Sequence, residues 1–293
     1  MKNRKLLIVT GLALAVSFAG KASAQTAPIV EKKWELGGFN NPESALFDAK
    51  NNVVYLSNVN GAPTDNDGNG YISKISTDGR VLNQKWATGL NAPKGLGIYS
   101  DKMYVADITN IVEIDIASGK ILNTYAAPEA TFLNDITVDK KGNVYVSNTF
   151  GFSGIYKLSN GSVELWIKSD ELNMPNGLFA EPDRLVVAGW GDQFNSADFT
   201  TKIPGKVVAV SYKDKSISTV TAPAGNLDGL AKTPQGYVVT DWIAGKLLYA
   251  SKSTATEILD LPQGSADIEY DATTKTLFVP LMNDNKLLAY TVN

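Results

Sequence analysis

Beyond roughly the first two dozen residues, the apolar positions fall in short runs rich in Val, Ile, Leu and Tyr, bounded by Gly, Asn, Asp and Pro. Runs of this kind read as strands, and no stretch sustains the 3.6-residue period of an amphipathic helix. The runs also recur. ESALFDAKNNVVYLSN from Glu43, KGLGIYSDKMYVAD from Lys94, NDITVDKKGNVYVSN from Asn134, NGLFAEPDRLVVAG from Asn176, DGLAKTPQGYVVTD from Asp228 and ADIEYDATTKTLFVP from Ala266 share one order. Each begins with a mostly polar residue and a small or polar one, then an apolar stretch, a turn and a second apolar stretch. The first positions lie 51, 40, 42, 52 and 38 residues apart. A third strand follows most of them, as in YISKIS, IVEIDI, GIYKLS, KVVAVS, KLLYAS and KLLAYT. Self-similarity at this period predicts an all-β fold, a six-bladed β-propeller with four-stranded blades. The last repeat reaches the C-terminus with three strands. Residues 29–36 (IVEKKWEL) are therefore predicted to supply its outer strand, closing the ring and leaving no open edge.

The first residues follow a different pattern. Lys2, Arg4 and Lys5 precede the apolar run LLIVTGLALAVSFAG, and Ala22-Ser23-Ala24 offers a small-residue cleavage site before Gln25. This predicts a secretory signal peptide over 1–24, and export to the periplasm or the medium. Residues 25–293 then form one propeller domain, with no membrane span after cleavage. Losing Lys2, Arg4, Lys5 and Lys21 takes the basic residues from 27 to 23 against 30 acidic ones. Nothing in this acidic balance points to nucleic-acid binding, which requires a basic face.

Two absences narrow the chemistry. The chain has no cysteine and no histidine. Disulfides, Ser-His-Asp triads, Cys-His dyads and His-ligated zinc are all excluded. A metal site must be built from oxygens, and a catalytic base must be Asp, Glu, Lys, Tyr or water. In a propeller the innermost strands start near one end of the central channel, so equivalent first positions converge on the axis. Those positions are Glu43, Lys94, Asn134, Asn176, Asp228 and Ala266, four of them carrying side-chain oxygens. Asn-Gly and Asp-Gly are also turn formers, which accounts for Asn176-Gly177 and Asp228-Gly229 but not for Glu43-Ser44 or Asn134-Asp135.

NPESALFD, LNDITVD, MPNGLF and NLDGLA together resemble the signature segments of the senescence marker protein/gluconolactonase family. That family includes regucalcin and, more distantly, diisopropyl fluorophosphatase, and the resemblance spans essentially all of 25–293. It implies a six-bladed propeller with one divalent cation on the axis, calcium first, with magnesium, manganese or zinc as alternatives. It implies Glu43, Asn134, Asn176 and Asp228 as ligands, and a metal-dependent hydrolase of sugar or related lactones. Asp228 is then the expected proton acceptor, and Asp135 a supporting group behind the ligands. The first segment departs from the family, which has Gly and Trp after the Glu where this chain has Ser44-Ala45-Leu46-Phe47.

Substrate contacts are expected from Phe150, Phe152, Trp190, Asp192 and Trp242, all of which follow second strands and so share one face. Lys94 either faces the channel and meets a substrate oxygen, or lies off the axis and pairs with Glu43 or Asp135. TDNDGNGYISKI, residues 64–75, spaces Asp65, Asp67 and Asn69 like the front half of an EF-hand loop. Its twelfth position is Ser76 rather than a bidentate Glu, which favours a polar turn. The other reading of the whole chain is a non-catalytic exported propeller that binds a ligand or partner around a structural cation.

Overall fold

The computed structural model describes residues 27–251 and 253–293; the expected signal peptide lies outside them. Six four-stranded antiparallel sheets follow one another around an axis. The innermost strands of the first five are Pro42–Asp48, Pro93–Tyr99, Leu133–Val138, Pro175–Ala180 and Leu227–Lys232. The sixth blade is built from Glu269–Asp271, Thr276–Leu281, Lys286–Val292 and, outermost, Val30–Gly37 from the start of the chain. That last strand pairs antiparallel with Lys286–Val292, as the short final repeat requires. Among the described residues, helix is confined to one 3-10 turn, Asp170–Leu172.

The second strand of each blade is buried on both faces, which is why the sequence reads there as unbroken apolar runs rather than as an alternation. Val53 and Tyr55 pack with Leu96, Met103 and Val105 of the second blade. Val54 and Leu56 pack the other way, with Phe278, Leu287 and Ala289 of the sixth. Six such apolar clusters, one per blade junction, hold the ring together, and the junction of blades six and one is among them.

The blades are also stitched by polar groups. Glu181 of the fourth blade accepts hydrogen bonds from Tyr237 Oη (2.7 Å) and Arg184 Nε (2.7 Å) and pairs with Lys232 of the fifth blade. Burial alone would raise the Glu181 pKa, but bonds from Lys232, Tyr237 and Arg184 outweigh it and hold the carboxylate down to about 2.

One element breaks the repeat. Between the second and third strands of blade four, a two-stranded hairpin, Gly191–Phe194 with Thr201–Pro204, stands apart as its own small sheet. This is the origin of the long spacing between Asn176 and Asp228.

Two stability predictions follow from this architecture. Deleting Val30–Gly37 uncovers the edge of Lys286–Val292, so the shortened chain should melt lower and self-associate as concentration rises; an unchanged melting temperature and a concentration-independent mass would contradict the closure. The lowered Glu181 pKa stabilises the fold above the ordinary value of 4.5, and that contribution is lost as pH falls toward about 2. Glu181→Gln should therefore melt below the parent at pH 7, with the gap narrowing across that acid window. A gap that does not change with pH would show that the carboxylate's charge is not what ties the two blades.

Candidate functional site

The site is made by one backbone device, used in five of the six blades. In the first five innermost strands, two residues face one on the second strand: Glu43-Ser44, Lys94-Gly95, Asn134-Asp135, Asn176-Gly177 and Asp228-Gly229. Such β-bulges bend the strand and re-aim side chains. Here they turn the first residue of each pair toward one end of the channel. The bulged N–H needs a partner, and in alternate blades an opposing hydroxyl provides it. Ser57 Oγ accepts from Ser44 N (2.8 Å), Ser147 Oγ from Asp135 N (2.9 Å) and Thr240 Oγ1 from Gly229 N (2.8 Å).

In the first three blades the chain just ahead of the bulge is held by the side chain of the residue that ends the second strand, in blade one by Asn58 Oδ1 accepting from Asn40 N (3.2 Å). Asp107 accepts from Asn91 N (2.9 Å) and Ala92 N (2.8 Å), and Asn148 Oδ1 from Thr131 N (2.8 Å) and Phe132 N (3.0 Å). The recurring Asn or Asp in YLSN, YVAD and YVSN is thus a backbone clamp that positions the site residues.

Asn176-Gly177 and Asp228-Gly229 are not turns. A Cβ on Gly177 would lie 2.2 Å from the Asp228 carbonyl oxygen, and one on Gly229 2.5 Å from Ile268 N. Glycine is required there because neighbouring innermost strands approach backbone to backbone at the axis.

Glu43, Asn134 and Asp228 form the floor of a cavity of about 230 Å³, with Lys94 in its wall. Asn176 lies beside Asp228, close enough for its amide to lower that carboxyl's pKa. All four oxygen-bearing residues are buried. Glu43 Oε2, Asn134 Oδ1, Asn176 Oδ1 and Asp228 Oδ1 have no hydrogen-bond partner among the described residues, nor has the Asn176 amide nitrogen. Buried polar atoms are rarely left unpaired, so four orphaned oxygens from four blades fit a hard divalent cation. The set has only two carboxylates, and the amide oxygens complete it.

Behind this layer lies a second. Asp135 and Asp267 occupy the next position in blades three and six. Asp135 accepts from Leu178 N (2.5 Å) and Ile136 N (2.6 Å), and Asp267 from Ser44 Oγ (2.6 Å). Burial pushes the Asp267 carboxyl up to about 7, against hydrogen bonds from Ser44 and Asp135. Burial, with the Asp267 charge behind it, also raises Asp135 and Asp228 well above the usual range. Glu43 is raised by burial, then by Asp228 and Asp267, and Lys94 opposes the shift.

Lys94 adopts neither of its expected pairings. Its ammonium donates to the carbonyls of Pro63 (2.9 Å) and Ala92 (3.0 Å) and stands 4.5 Å from the Phe132 ring centre. Burial lowers its pKa to about 8, against the Glu43 and Asp107 charges.

Above the floor the walls are aromatic. Phe150, Trp190 and Trp242 line the cavity together, as their shared place after second strands predicts. Phe132, Phe199, Met282, Asn283 and Pro63 complete it. Met282 follows its second strand just as Trp190 and Trp242 do, so the same rule would have found it. Phe199 sits on the inserted hairpin, where no repeat position points to it. Two expected contacts fall elsewhere. Phe152 packs against Tyr156 and carries Lys168 over its ring, and Asp192 is exposed on the hairpin, where the alternation buries the neighbouring Gly191 instead.

The 64–75 segment joins the second and third strands of blade one, as expected. Outside its third-strand part (70–75), where Ser73 is buried, the segment's polar side chains are exposed and locally bonded: Asn69 N donates to Asp67 Oδ1 (3.1 Å), and Asn60 Nδ2 from the preceding loop donates to Asn69 Oδ1 (3.0 Å). Its contribution to the cavity is Pro63, immediately before it.

No protein-family model and no curated protein sequence matches this chain. Solved structures do match its fold. A gluconolactonase from Xanthomonas campestris superposes with a TM-score of 0.67 at 14% identity, over 95% of this chain and 94% of its own. A structural-genomics target provisionally assigned as a gluconolactonase gives 0.64 at 12%, over 91% and 92%. A chain from the nidogen/laminin complex gives 0.55 at 14%, over 71% and 74%. The architecture is consistent with the gluconolactonase-like propellers, two of which are among its structural neighbours.

The orphaned oxygens lead to a direct expectation. Calcium or manganese should raise the melting temperature by several degrees at saturating concentration, on the usual scale of ligand linkage. The carboxyls must lose protons to bind, so the increment should grow from pH 6 to pH 8. Asn176→Ala together with Glu43→Gln should abolish it, whereas an increment that survives in the double variant would place the cation elsewhere.

Proposed function

We propose that the protein is a divalent-cation-dependent hydrolase of lactones, acting at the floor of the aromatic cavity. The observation that carries this reading is the set of four buried, unpartnered oxygens on equivalent bulges, three of them on residues that line a cavity large enough for a small cyclic ester. The fold shared with a gluconolactonase supports it. Glu43, Asn134, Asn176 and Asp228 would hold the cation, which when bound supplies Lewis-acid polarisation of a carbonyl.

The chain's own groups do the rest. Asn134 and Asn176 are neutral, so they orient without cancelling charge. Asp228 accepts the proton of the attacking water as its oxygen bonds to the carbonyl carbon. The ring C–O bond then breaks, and the departing alkoxide takes up the proton held by Asp228, giving the open hydroxy acid and restoring the carboxylate. Lys94 has three donors and uses two on carbonyls, leaving one for a substrate oxygen. Asp135 and Asp267 anchor the bulges from behind: Asp135 through backbone N–H groups, Asp267 through Ser44. Apolar walls exclude bulk water and strengthen each of these interactions.

A binding protein without turnover is the competing reading, since a similar propeller occurs in the nidogen/laminin complex. Asp228→Asn separates the two. It keeps a ligating oxygen but cannot take a proton, so the variant should still gain thermal stability from the cation. Its lactone hydrolysis should fall by at least about 10²-fold, the scale of losing a general base. Undiminished hydrolysis would remove Asp228 from the mechanism. No turnover of any lactone by the cation-loaded parent would leave the binding reading.

A further inference from the structure

From the cavity walls we infer the substrate class: a small lactone bearing an apolar alkyl or aryl substituent, not a polyhydroxylated sugar lactone. The inference rests on the lactonase reading for the ring, and on the walls alone for the substituent.

A sugar lactone needs a hydrogen-bond partner for each hydroxyl, because a buried polar group left unpaired is costly. The polar groups above the floor are few and mostly committed. The Trp190 indole N–H donates to the Phe199 carbonyl (2.8 Å). The Asn283 amide donates to the Gln263 carbonyl (3.1 Å). Two donors of Lys94 are taken by Pro63 and Ala92. What remains is the third Lys94 donor, the second amide N–H and the carbonyl of Asn283, and the Trp242 indole N–H. These can serve a lactone's two ester oxygens, but not a ring of hydroxyls as well.

The aromatic groups, in contrast, form a connected wall. Phe150 lies 4.9 Å from Phe132, 6.0 Å from Trp190 and 6.0 Å from Phe199, centre to centre. Trp190 continues to Trp242 at 6.0 Å. Phe199 is 43% exposed although it lines the cavity, so the hairpin presents an apolar ring that the fold itself does not cover. An apolar substituent lying against Phe150 and Phe199 from the cavity side would bury it. The volume of about 230 Å³ is below the ~300–1,000 Å³ of pockets for drug-sized ligands, which limits the substituent to a short chain or one small ring.

The test uses lactams, which keep the ring and carbonyl but resist hydrolysis, so recognition is measured without turnover. Six-membered lactams with methyl, propyl and pentyl substituents, and gluconolactam, are titrated into the calcium-loaded protein. Fluorescence of Trp190 and Trp242, both in the wall, reports binding, with calorimetry as the second measure. Affinity should rise about fourfold per buried methylene. The pentyl lactam should bind at least about tenfold tighter than gluconolactam. Phe199→Ser should flatten the chain-length dependence while the melting temperature and the calcium increment stay at parental values. Gluconolactam binding as tightly as the pentyl compound would overturn the inference, as would an affinity independent of chain length or no binding of any alkyl lactam. Tight alkyl-lactam binding without hydrolysis of the matching lactones would sink the lactonase reading and leave the apolar specificity standing. Efficient hydrolysis of gluconolactone with no preference for alkyl lactones would do the reverse.

Discussion

The two-for-one bulge at the head of each innermost strand is the constraint on which the rest depends. A regular strand would alternate its side chains between the two blade junctions and send nothing toward the mouth of the channel. The extra residue breaks that alternation once, at the same place in five blades, and aims Glu43, Lys94, Asn134, Asn176 and Asp228 at one end. It is held from two sides. Hydroxyls on the second strands satisfy the bulged N–H groups, and Asp107 and Asn148 clamp the backbone just before it. Glycine at the following position in blades two, four and five lets the strands close on the axis. Ring closure by Val30–Gly37 then fixes the distances between blades that are remote in sequence.

The consequence of this convergence is electrostatic. Glu43, Asp228, Asp135 and Asp267 are all buried along one channel, and burial pushes each above its ordinary pKa. Four carboxylates so enclosed cannot all ionise without a compensating charge. Lys94 supplies one, and its own pKa is lowered by the same burial. Its ammonium, however, is directed at two carbonyls and an aromatic ring, which leaves Glu43 Oε2 and Asp228 Oδ1 unpartnered. A divalent cation would meet both the charge and the hydrogen-bonding deficit at once.

Much of this was legible in the sequence, for reasons that can be named. The fold was readable because each blade must bury its second strand on both faces, so VVYLSN, MYVAD and VYVSN look alike wherever they fall. The candidate oxygens were readable because equivalent repeat positions become neighbours on the axis. Trp190, Trp242 and Phe150 were readable from their place after a second strand. Phe199 was not, because its hairpin is an insertion outside the repeat. Asp267 was hidden for another reason: its repeat begins with Ala266, which carries no polar group and drew no notice to the residue after it. Phe152 and Asp192 were misjudged because alternation at a loop is set by hydrogen bonding of the local backbone, which composition does not disclose. The Asn-Gly and Asp-Gly pairs look like turns in one dimension and act as close-approach points in three.

The central claim is that Glu43, Asn134, Asn176 and Asp228 form one cation site. The most direct test is anomalous diffraction from crystals grown with manganese. The account predicts one strong peak on the propeller axis, bonded to an oxygen of each of the four residues at about 2.0–2.6 Å, the range of hard-cation bonds to oxygen. A peak confined to the Asp65-Asp67-Asn69 turn, or no peak on the axis at saturating manganese, would contradict it.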